Sequence, residues 1–362
     1  MRRTLLGLAG LTLLAGCQDP CADGRICAIV GTGELGWNGD GLPGDETRLA
    51  SPTSVAVDLD GRPVIVDYSN MLIRRVEDDG TVTSIVGNGR HAYSEIGADA
   101  LETPLENPVD ARWGPDGLLY VLPQHEGRLI RIEASGAVGR VCGTGQLGDT
   151  GDGGPALEAE LGYTGGFAFG DGDLYIADNT NSRVRRVRGE EIQTVLGTGE
   201  DGLGEPGYGP ETAIANPERI AWDDGRLLVA DASNHRVLAL DPETLQVTVV
   251  AGTGEAGYTG DGGPGSEATL NRPTGVLAVA GGVLVADFEN TALRFVDADG
   301  TIETVAGGFD LNEDLVDSEE PLLMPIRRPA GLALTPDGDV LVAERSGHRL
   351  LRWNGAEATL QQ

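Results

Sequence analysis

The chain has 362 residues and is strongly acidic, with 57 Asp and Glu residues against 26 Lys and Arg and a formal net charge of −31. This charge excludes nucleic acid and anionic lipid headgroups as main partners, because binding to phosphates requires clustered basic side chains. Aromatic residues make up only 4% of the chain and 56 residues are glycine. The composition therefore disfavours a sugar-stacking cleft and indicates many tight turns.

The first 16 residues are typical of an export signal. Two arginines precede the apolar stretch Leu5 to Leu14, which is too short to cross a bilayer as a mature helix. It ends in Leu14-Ala15-Gly16-Cys17, which resembles a bacterial lipobox. The resemblance implies that residues 1–16 are a lipoprotein signal peptide, that Cys17 is lipidated and that residues 17–23 are a short tether. We expect an exported, membrane-anchored lipoprotein of the bacterial cell envelope.

Three further cysteines follow the predicted lipidation site. Export permits disulfides, and Cys21 and Cys27 lie close enough in sequence to pair at the start of the fold. Cys142 occupies a position that other segments fill with alanine or valine, so we expect a small buried residue. The cysteine spacing has no zinc signature.

One segment recurs six times along the chain, with a spacing of 53 or 56 residues. Each copy contains short apolar runs of period two separated by Asp-Gly or Gly-Gly, as in Val55 to Val57 and Val64 to Val66, which indicates β-hairpins. A third and a fourth run complete each copy. Four strands in each of six units predict an all-β fold, a single six-bladed β-propeller of four-stranded antiparallel blades over residues 24–362. The copies begin at Pro52, Pro108, Thr164, Pro217, Pro273 and Pro329.

Closure of the ring has two possible solutions. Arg25 to Gly33 matches the fourth strand of a unit, but the first three strands of that unit are found at the other end of the chain, from Pro329 to Asn354. An N-terminal strand is therefore predicted to complete the last blade. The segment Ala356 to Gln361 is the alternative fourth strand, and the sequence leaves both open.

Two strings of the repeat, Asp178-Asn-Thr-Asn181-Ser-Arg183 and Asp231-Ala-Ser-Asn234-His-Arg236, resemble the NHL repeat. The resemblance implies a propeller that serves as a binding module or, in a few members, as an enzyme. We expect the Asp and Asn side chains to bond the turn backbone and the arginine to cover apolar surface. The pattern has departures at Pro123, Glu344 and Gly347 and, in the arginine place, at Leu72 and Ala292.

Long connections join each unit to the next and are expected to surround one mouth of the axial channel, where function is usually located. Five residues near the channel end of first strands are candidate site residues: Thr53, Asp110, Glu218, Arg219 and Thr274. The connections span residues 31–51, 87–107, 143–163, 197–216, 252–272 and 307–328.

Three enzyme hypotheses can be tested on these positions. A lyase resembling peptidylglycine amidating lyase would place histidines directly after each opening proline, and none is present. A lactonase resembling the senescence-marker/gluconolactonase family would hold a divalent cation, for which Asp110 and Glu218 are candidate ligands. However, Arg219 could instead pair with Asp110. The third hypothesis uses three histidines in turns of alternate units, predicted to be surface residues far apart: His125, His235 and His348.

A Gly-x-Gly-x-x-Gly string begins at Gly31, Gly143, Gly197 and Gly252. A dinucleotide fingerprint would open a long helix in a βαβ unit, whereas these strings lead into loop and another strand. We therefore interpret them as blade-to-blade corners. Three loop acids follow in Gly-Asp-Gly segments and are expected to brace the loops through backbone bonds, with a calcium site as the alternative: Asp40, Asp152 and Asp261.

Together these patterns favour a monomeric binding platform at the cell envelope for a protein, peptide or glycan. The partner would be engaged by the inter-blade loops, with the membrane contacted only through the lipid anchor and with no nucleic acid bound. The alternative is a metal-assisted hydrolase or lyase at the channel mouth. Catalysis is disfavoured, since the sequence contains neither Gly-x-Ser-x-Gly nor His-Glu-x-x-His. No cofactor other than calcium is suggested.

Overall fold

The computed structural model describes residues 24–308 and 326–354, together with Ala356 and Leu360. The predicted signal peptide, the tether, Cys17 and Cys21 lie outside the described residues. Cys27 is disulfide-bonded and its partner also lies outside them, so its pairing with Cys21 stays a prediction.

Six antiparallel sheets form the predicted six-bladed propeller. The first strands of neighbouring blades contact one another around the axis, and the first strand of blade 6 contacts that of blade 1. This last contact closes the ring. The all-β propeller fold is thus confirmed.

The strands are numbered β1 to β27 in chain order. Strand β1 is Ile26–Val30. Blade 1 contains β2 to β6: Leu42–Pro43, Ser54–Val57, Pro63–Asp67, Leu72–Val76 and Thr81–Val86. Blade 2 contains β7 to β10: Pro108–Trp113, Leu119–Pro123, Leu129–Ile132 and Val138–Cys142. Blade 3 contains β11 to β15: Gly154–Pro155, Phe167–Gly170, Asp173–Asp178, Arg183–Arg188 and Glu191–Leu196.

Blade 4 contains β16 to β19: Pro217–Asp223, Arg226–Asp231, Arg236–Leu240 and Val247–Ala251. Blade 5 contains β20 to β24: Gly263–Pro264, Pro273–Val279, Gly282–Asp287, Ala292–Asp297 and Thr301–Gly307. Blade 6 contains β25 to β27: Pro329–Leu334, Val340–Glu344 and Arg349–Trp353. Short 3-10 helices lie at Gly44–Glu46, Tyr68–Asn70, Ala156–Glu158, Asn179–Asn181, Gly209–Glu211, Ala232–Asn234 and Gly265–Glu267.

Strand β1 is the fourth strand of blade 6. It pairs with β27 in antiparallel register, with Ile26 opposite Trp353 and Val30 opposite Leu350. The ring is therefore closed by the two ends of the fold within one sheet.

Blades 1, 3 and 5 each contain a fifth strand that the repeat did not predict. It has two residues and comes from the Gly-Asp-Gly part of the incoming loop. It pairs with the last strand of its blade, with Leu42 opposite Val82, Gly154 opposite Ile192 and Gly263 opposite Ile302. The loops of these blades are thus bound to the sheet edge.

The core of the propeller lies between blades. Six hydrophobic clusters of described residues each join the facing surfaces of two neighbouring blades. Cys142 belongs to the cluster between blades 2 and 3 and is a free, fully buried thiol, as predicted. Burial raises its pKa to about 12, because the thiolate would lose its hydration.

The first glycine of each blade-to-blade corner is required by a close backbone approach. At Gly31, φ is +109° and an added Cβ would lie 2.3 Å from the carbonyl oxygen of His348. At Gly252 the same distance, to the His235 oxygen, is also 2.3 Å. A side chain cannot fit at either position, so these corners contain glycine for steric reasons.

The Asp and Asn of the repeat signature bind the incoming loop. Asp67 is fully buried at the end of β4, and its Oδ1 accepts a 2.7 Å hydrogen bond from the Ala50 amide, just before β3. The Asn70 amide donates both to Asp67 and to the carbonyl of Gly36. Gly36 is the third glycine of the corner string. The same bond joins Asn181 to Gly148, Asn234 to Gly202 and Asn290 to Gly257.

The loop acids are braced by buried arginines and not by the backbone bonds that the sequence suggested. Arg185 has no exposed side-chain surface and lies between Asp178, at 3.2 Å, and Asp152, at 2.8 Å. The equivalent arginines in blades 1 and 5 stand two residues after Leu72 and Ala292. These arginines supply the positive charge that the signature lacks where Leu72 and Ala292 occupy its arginine position. Arg74 pairs with Asp67 and Asp40, and Arg294 pairs with Asp287 and Asp261.

The heads of Arg74, Arg185 and Arg294 are fully enclosed. At the signature place itself, for which the sequence predicted a head in a polar environment, Arg183 is 19% exposed and Arg236 is 4% exposed. Burial of the partner carboxyls raises the pKa of Asp67 and Asp287 to about 6, because desolvation outweighs the stabilisation by hydrogen bonds and arginine. A calcium ion at the loop acids would meet a guanidinium already in place. These residues therefore do not fit a calcium site.

Removing one buried arginine should strongly destabilise the fold. Arg185→Met leaves Asp178 as an uncompensated buried charge, and we expect the free energy of unfolding to fall by about 3–5 kcal/mol. Urea unfolding followed by circular dichroism measures the loss. The control is Arg226→Met, which removes an exposed ion pair to Asp223 and should cost less than about 1 kcal/mol. Equal effects of the two variants would contradict the role given to Arg185.

Candidate binding site at the channel mouth

A polar cavity of about 160 Å³ lies at one mouth of the axial channel. It is built from the beginnings of the first strands and from the residues that follow the second strands. Both sets lie at the end of the propeller where the inter-blade loops enter. Four of the five predicted channel residues line it: Thr53, Glu218, Arg219 and Thr274.

Arg219 closes the channel beneath this cavity. Its side chain is buried, and it donates to carbonyl oxygens of three other blades, those of Thr53 at 2.9 Å, Val109 at 2.7 Å and Gly165. Among the residues that the structure describes, its Nε has no hydrogen-bond partner. Burial lowers the pKa of Arg219, although nearby Asp110 opposes the shift. One guanidinium thus links four blades at the axis.

Asp110 is fully buried and does not line the cavity. Its two oxygens accept from the Ser54 hydroxyl at 2.7 Å, from the amides of Ala111 and Phe167, and from Arg112 Nε at 3.1 Å. The ion pair considered between Asp110 and Arg219 is not formed. Asp110 pairs with Arg112 instead. With its acceptors occupied and two arginines close by, Asp110 does not fit a divalent-cation ligand.

The other predicted channel residues have structural partners. The hydroxyls of Thr53 and Thr274 donate to carbonyl oxygens of the next blade, at Val109 and Pro329 respectively. Glu218 is partly exposed, accepts from Asn216 at 3.3 Å and lies 3.7 Å from Arg272. The two threonines therefore form hydrogen bonds between neighbouring blades. Glu218 and Arg272 face the cavity as a long ion pair.

Sequence reasoning missed five residues that line the cavity: Tyr68, Gln124, Arg272, Phe288 and Arg345. Four of them directly follow the last residue of a second strand, the place that Asp holds in the signature. This position therefore faces the channel mouth in the repeat. Aligning the six units at that position, and not only at their opening prolines, would have identified it.

Arginines cover both aromatic rings of the cavity. The Arg345 guanidinium lies 5.5 Å from the Tyr68 ring centre, and Arg272 and Arg328 lie 5.9 Å and 5.4 Å from that of Phe288. The Tyr68 hydroxyl also bonds Gln124. The lining therefore has three arginines against one glutamate, in a protein of net charge −31.

The three histidines of alternate blades are partly buried turn residues. His235 and His348 each accept, through Nδ1, a hydrogen bond from the last loop residue before the next first strand, Arg272 and Ser51. Burial lowers the pKa of both. His125 contacts Glu106. Each histidine thus contacts a different inter-blade loop, and the structure brings no two of these three together.

The exposed hydrophobic surface is concentrated in the inter-blade loops. In the described parts of the chain, twelve large hydrophobic side chains are exposed, and every one except Leu59 lies in such a loop. Trp37 and Leu101, from the loops before and after blade 1, line a groove of about 500 Å³. The other nine are Leu35, Tyr93, Ile96, Leu147, Leu157, Tyr163, Leu203, Tyr208 and Tyr258.

No group of three or more His, Cys, Asp or Glu side chains in residues 24–308 and 326–354 is arranged to hold a metal ion. In the same residues no helix is long and apolar enough to cross a membrane.

The NHL repeat family matches residues 327–353, which form most of blade 6. NHL repeat-containing protein 2 of Homo sapiens is 25% identical over 337 residues, covering 81% of this chain and 46% of that protein. Blade 6 thus contains an NHL repeat, and the whole propeller is similar to an NHL repeat-containing protein. The chain spans about half the length of this curated relative.

Solved structures share the fold. An auxiliary nutrient binding protein from Bacteroides ovatus superposes with a TM-score of 0.66 at 15% identity, covering 90% of this chain and 75% of that one. A streptogramin B lyase gives a TM-score of 0.52 at 14% identity, covering 86% and 95%. At these identities the likeness extends to the propeller fold alone.

Replacing the axial arginine should loosen the ring. Arg219→Met leaves three carbonyl oxygens without their donor, and we expect a loss of about 3 kcal/mol in the free energy of unfolding. Arg219→Lys keeps the charge but cannot reach all three oxygens, so about half the loss should remain. Urea unfolding measures both. A stability of Arg219→Met within 0.5 kcal/mol of the parent, about the effect of a surface substitution, would contradict this role.

Proposed function

We propose that the protein is a binding platform anchored at the bacterial cell envelope, which engages a protein or peptide partner through its inter-blade loops. The observation that carries this proposal is the placement of the exposed hydrophobic side chains. Eleven of the twelve lie in those loops. Exposed apolar patches on a rigid scaffold are typical of interaction surfaces.

A protein or peptide fits the loops better than a glycan does. Sugars bind against open aromatic faces, and the two aromatic rings at the channel mouth are covered by arginines. In the loops, Trp37 and Leu101 form instead a mixed groove with polar residues such as Asn70 and Asn88. Such an apolar and amide lining suits peptide side chains and backbone.

A metal-assisted hydrolase or lyase receives no specific support. Asp110 has its oxygens occupied by donors, and Glu218 lies beside Arg272 and Arg219. The structural likeness to a lyase concerns the fold. We therefore do not propose catalysis as a second function.

Changing the loop groove should abolish partner capture. We expect the double variant Trp37→Ser, Leu101→Ser to capture about one tenth or less of the partner that the parent captures from envelope extract. The reason is that a Trp anchor buried in an interface contributes about 2 kcal/mol or more to the binding free energy. Quantitative mass spectrometry of the captured proteins measures this.

The control is Leu59→Ser, which removes the one exposed large hydrophobic side chain that lies outside the loops among the described residues. It should leave capture unchanged. Equal capture by all three proteins, or an equal loss in both variants, would refute binding through the loops.

The anchor is tested separately. Cys17→Ala removes the predicted lipid attachment, so we expect the variant to move from the membrane fraction to the soluble fraction of the envelope. Cys142→Ala, which changes only the buried free thiol, should remain with the membrane. If Cys17→Ala fractionates like the parent, the lipoprotein hypothesis is wrong.

A further inference from the structure

The cavity at the channel mouth has a cationic lining, with three arginines against one glutamate among the described residues. Arg345 forms no ion pair and no side-chain hydrogen bond in the described parts of the chain, and it rests on the Tyr68 ring. Within residues 24–308 and 326–354, the Arg272 guanidinium contacts Glu218 at 3.7 Å and the face of Phe288. Arg219, at the floor, has Nε without a partner.

These three arginines have unused hydrogen-bond donors. A guanidinium carries five N–H groups, and only three bonds from Arg219 are made, all to carbonyl oxygens. Arginine forks match the geometry of a carboxylate and bind it through paired hydrogen bonds. An acidic protein has no general need for such a cluster, so its position at the axis indicates a ligand of negative charge.

The size of the cavity limits the ligand. A volume of about 160 Å³ is below the ~300–1,000 Å³ of pockets that enclose a whole small molecule. It admits one planar charged group with a few atoms attached. The inter-blade loops with their exposed apolar side chains enter at the same end of the propeller. A ligand that places its end in the cavity can therefore continue onto the loops.

From this geometry we infer that the cavity binds the carboxylate at the C-terminus of a peptide or protein partner. The inference rests on the proposed platform function and adds the chemistry by which the partner is recognised. Arg345 and Arg272 bind the two oxygens, Arg219 forms the positive floor, and Gln124 and Tyr68 bound the side. Glu218 holds Arg272 in place and repels carboxylates that enter on its side.

The test compares two pools of random hexapeptides on the immobilised full-length protein, one with free C-terminal carboxylates and one with C-terminal amides. We expect at least about tenfold greater retention of the acids, since a hydrogen bond to a charged group contributes about 1.5–3 kcal/mol. Equal retention of both pools, or retention of neither, would overturn the inference.

Variants then locate the effect. The affinity of a retained acid peptide, measured by calorimetry, should fall about tenfold in Arg345→Gln and in Arg272→Gln. The matched control is Arg226→Gln, whose side chain is 47% exposed compared with 44% for Arg272. It lies away from the cavity and should bind like the parent. An equal loss in the control would overturn the assignment to this site.

Sodium acetate separates two sources of the same carboxylate chemistry. If acetate alone binds as tightly as the peptides, the ligand is a small free carboxylate and the peptide assignment is wrong. Failure of the carboxylate inference can be distinguished from failure of the proposed platform function. Peptides that bind regardless of their C-terminus, with capture still lost in the Trp37→Ser, Leu101→Ser variant, would refute only the carboxylate inference. Acid-selective peptide binding with unchanged capture in that variant would refute only the loop surface.

Discussion

A buried carboxylate at the end of the second strand fixes the position of nearly everything else at the channel mouth. It accepts a hydrogen bond from a backbone amide of the loop that enters its own blade, at 2.7 Å for Asp67, Asp231 and Asp287. This bond fixes where the first strand of that blade begins. The neighbouring Asn binds the third glycine of the corner string. In blades 1, 3, 4 and 5, two sequence motifs that stand far apart in the unit are therefore one structural element. Where Gly347 replaces the Asn, the corner string is absent as well.

Charge compensation alternates around the ring. In blades 1, 3 and 5 the arginine stands seven residues after the carboxylate and also reaches a loop acid, as Arg185 does. In blades 4 and 6 it stands five residues after the carboxylate, as in the pairs of Arg236 with Asp231 and Arg349 with Glu344. In blade 2 the second strand ends at Pro123, and Arg128 pairs with Glu126 instead. The fifth strands follow the same alternation. Blades 2 and 4 have only single bridges at the corresponding place, Asp99 with Ala137 and Tyr208 with Gln246.

The sequence predicted the number of blades and strands because a period of 56 residues and Asp-Gly turns depend on local pattern. It also placed Thr53, Glu218, Arg219 and Thr274 at the mouth, since the repeat alignment marks the channel end of each first strand. It could not assign their partners. Arg219 binds carbonyl oxygens of three other blades, and Asp110 pairs with Arg112, because such contacts depend on how first strands converge at the axis. Arg345 was missed because its place beside Tyr68 depends on how the turns after the second strands of blades 6 and 1 converge.

The direction of β1 determines which face of the propeller would lie toward a membrane anchor at the N-terminus. This strand runs toward the loops, since Val30 leads directly into the first corner and the chain enters it at Ile26 on the opposite face. Ile26 stands nine positions after Cys17, so the chain between them reaches about 30 Å at most. For the anchor proposed at Cys17, the membrane would therefore lie beneath the face with the short hairpins. The arginine-lined mouth and its loops would then point outward, where a partner tethered to the same bilayer could reach them only by extending past the propeller.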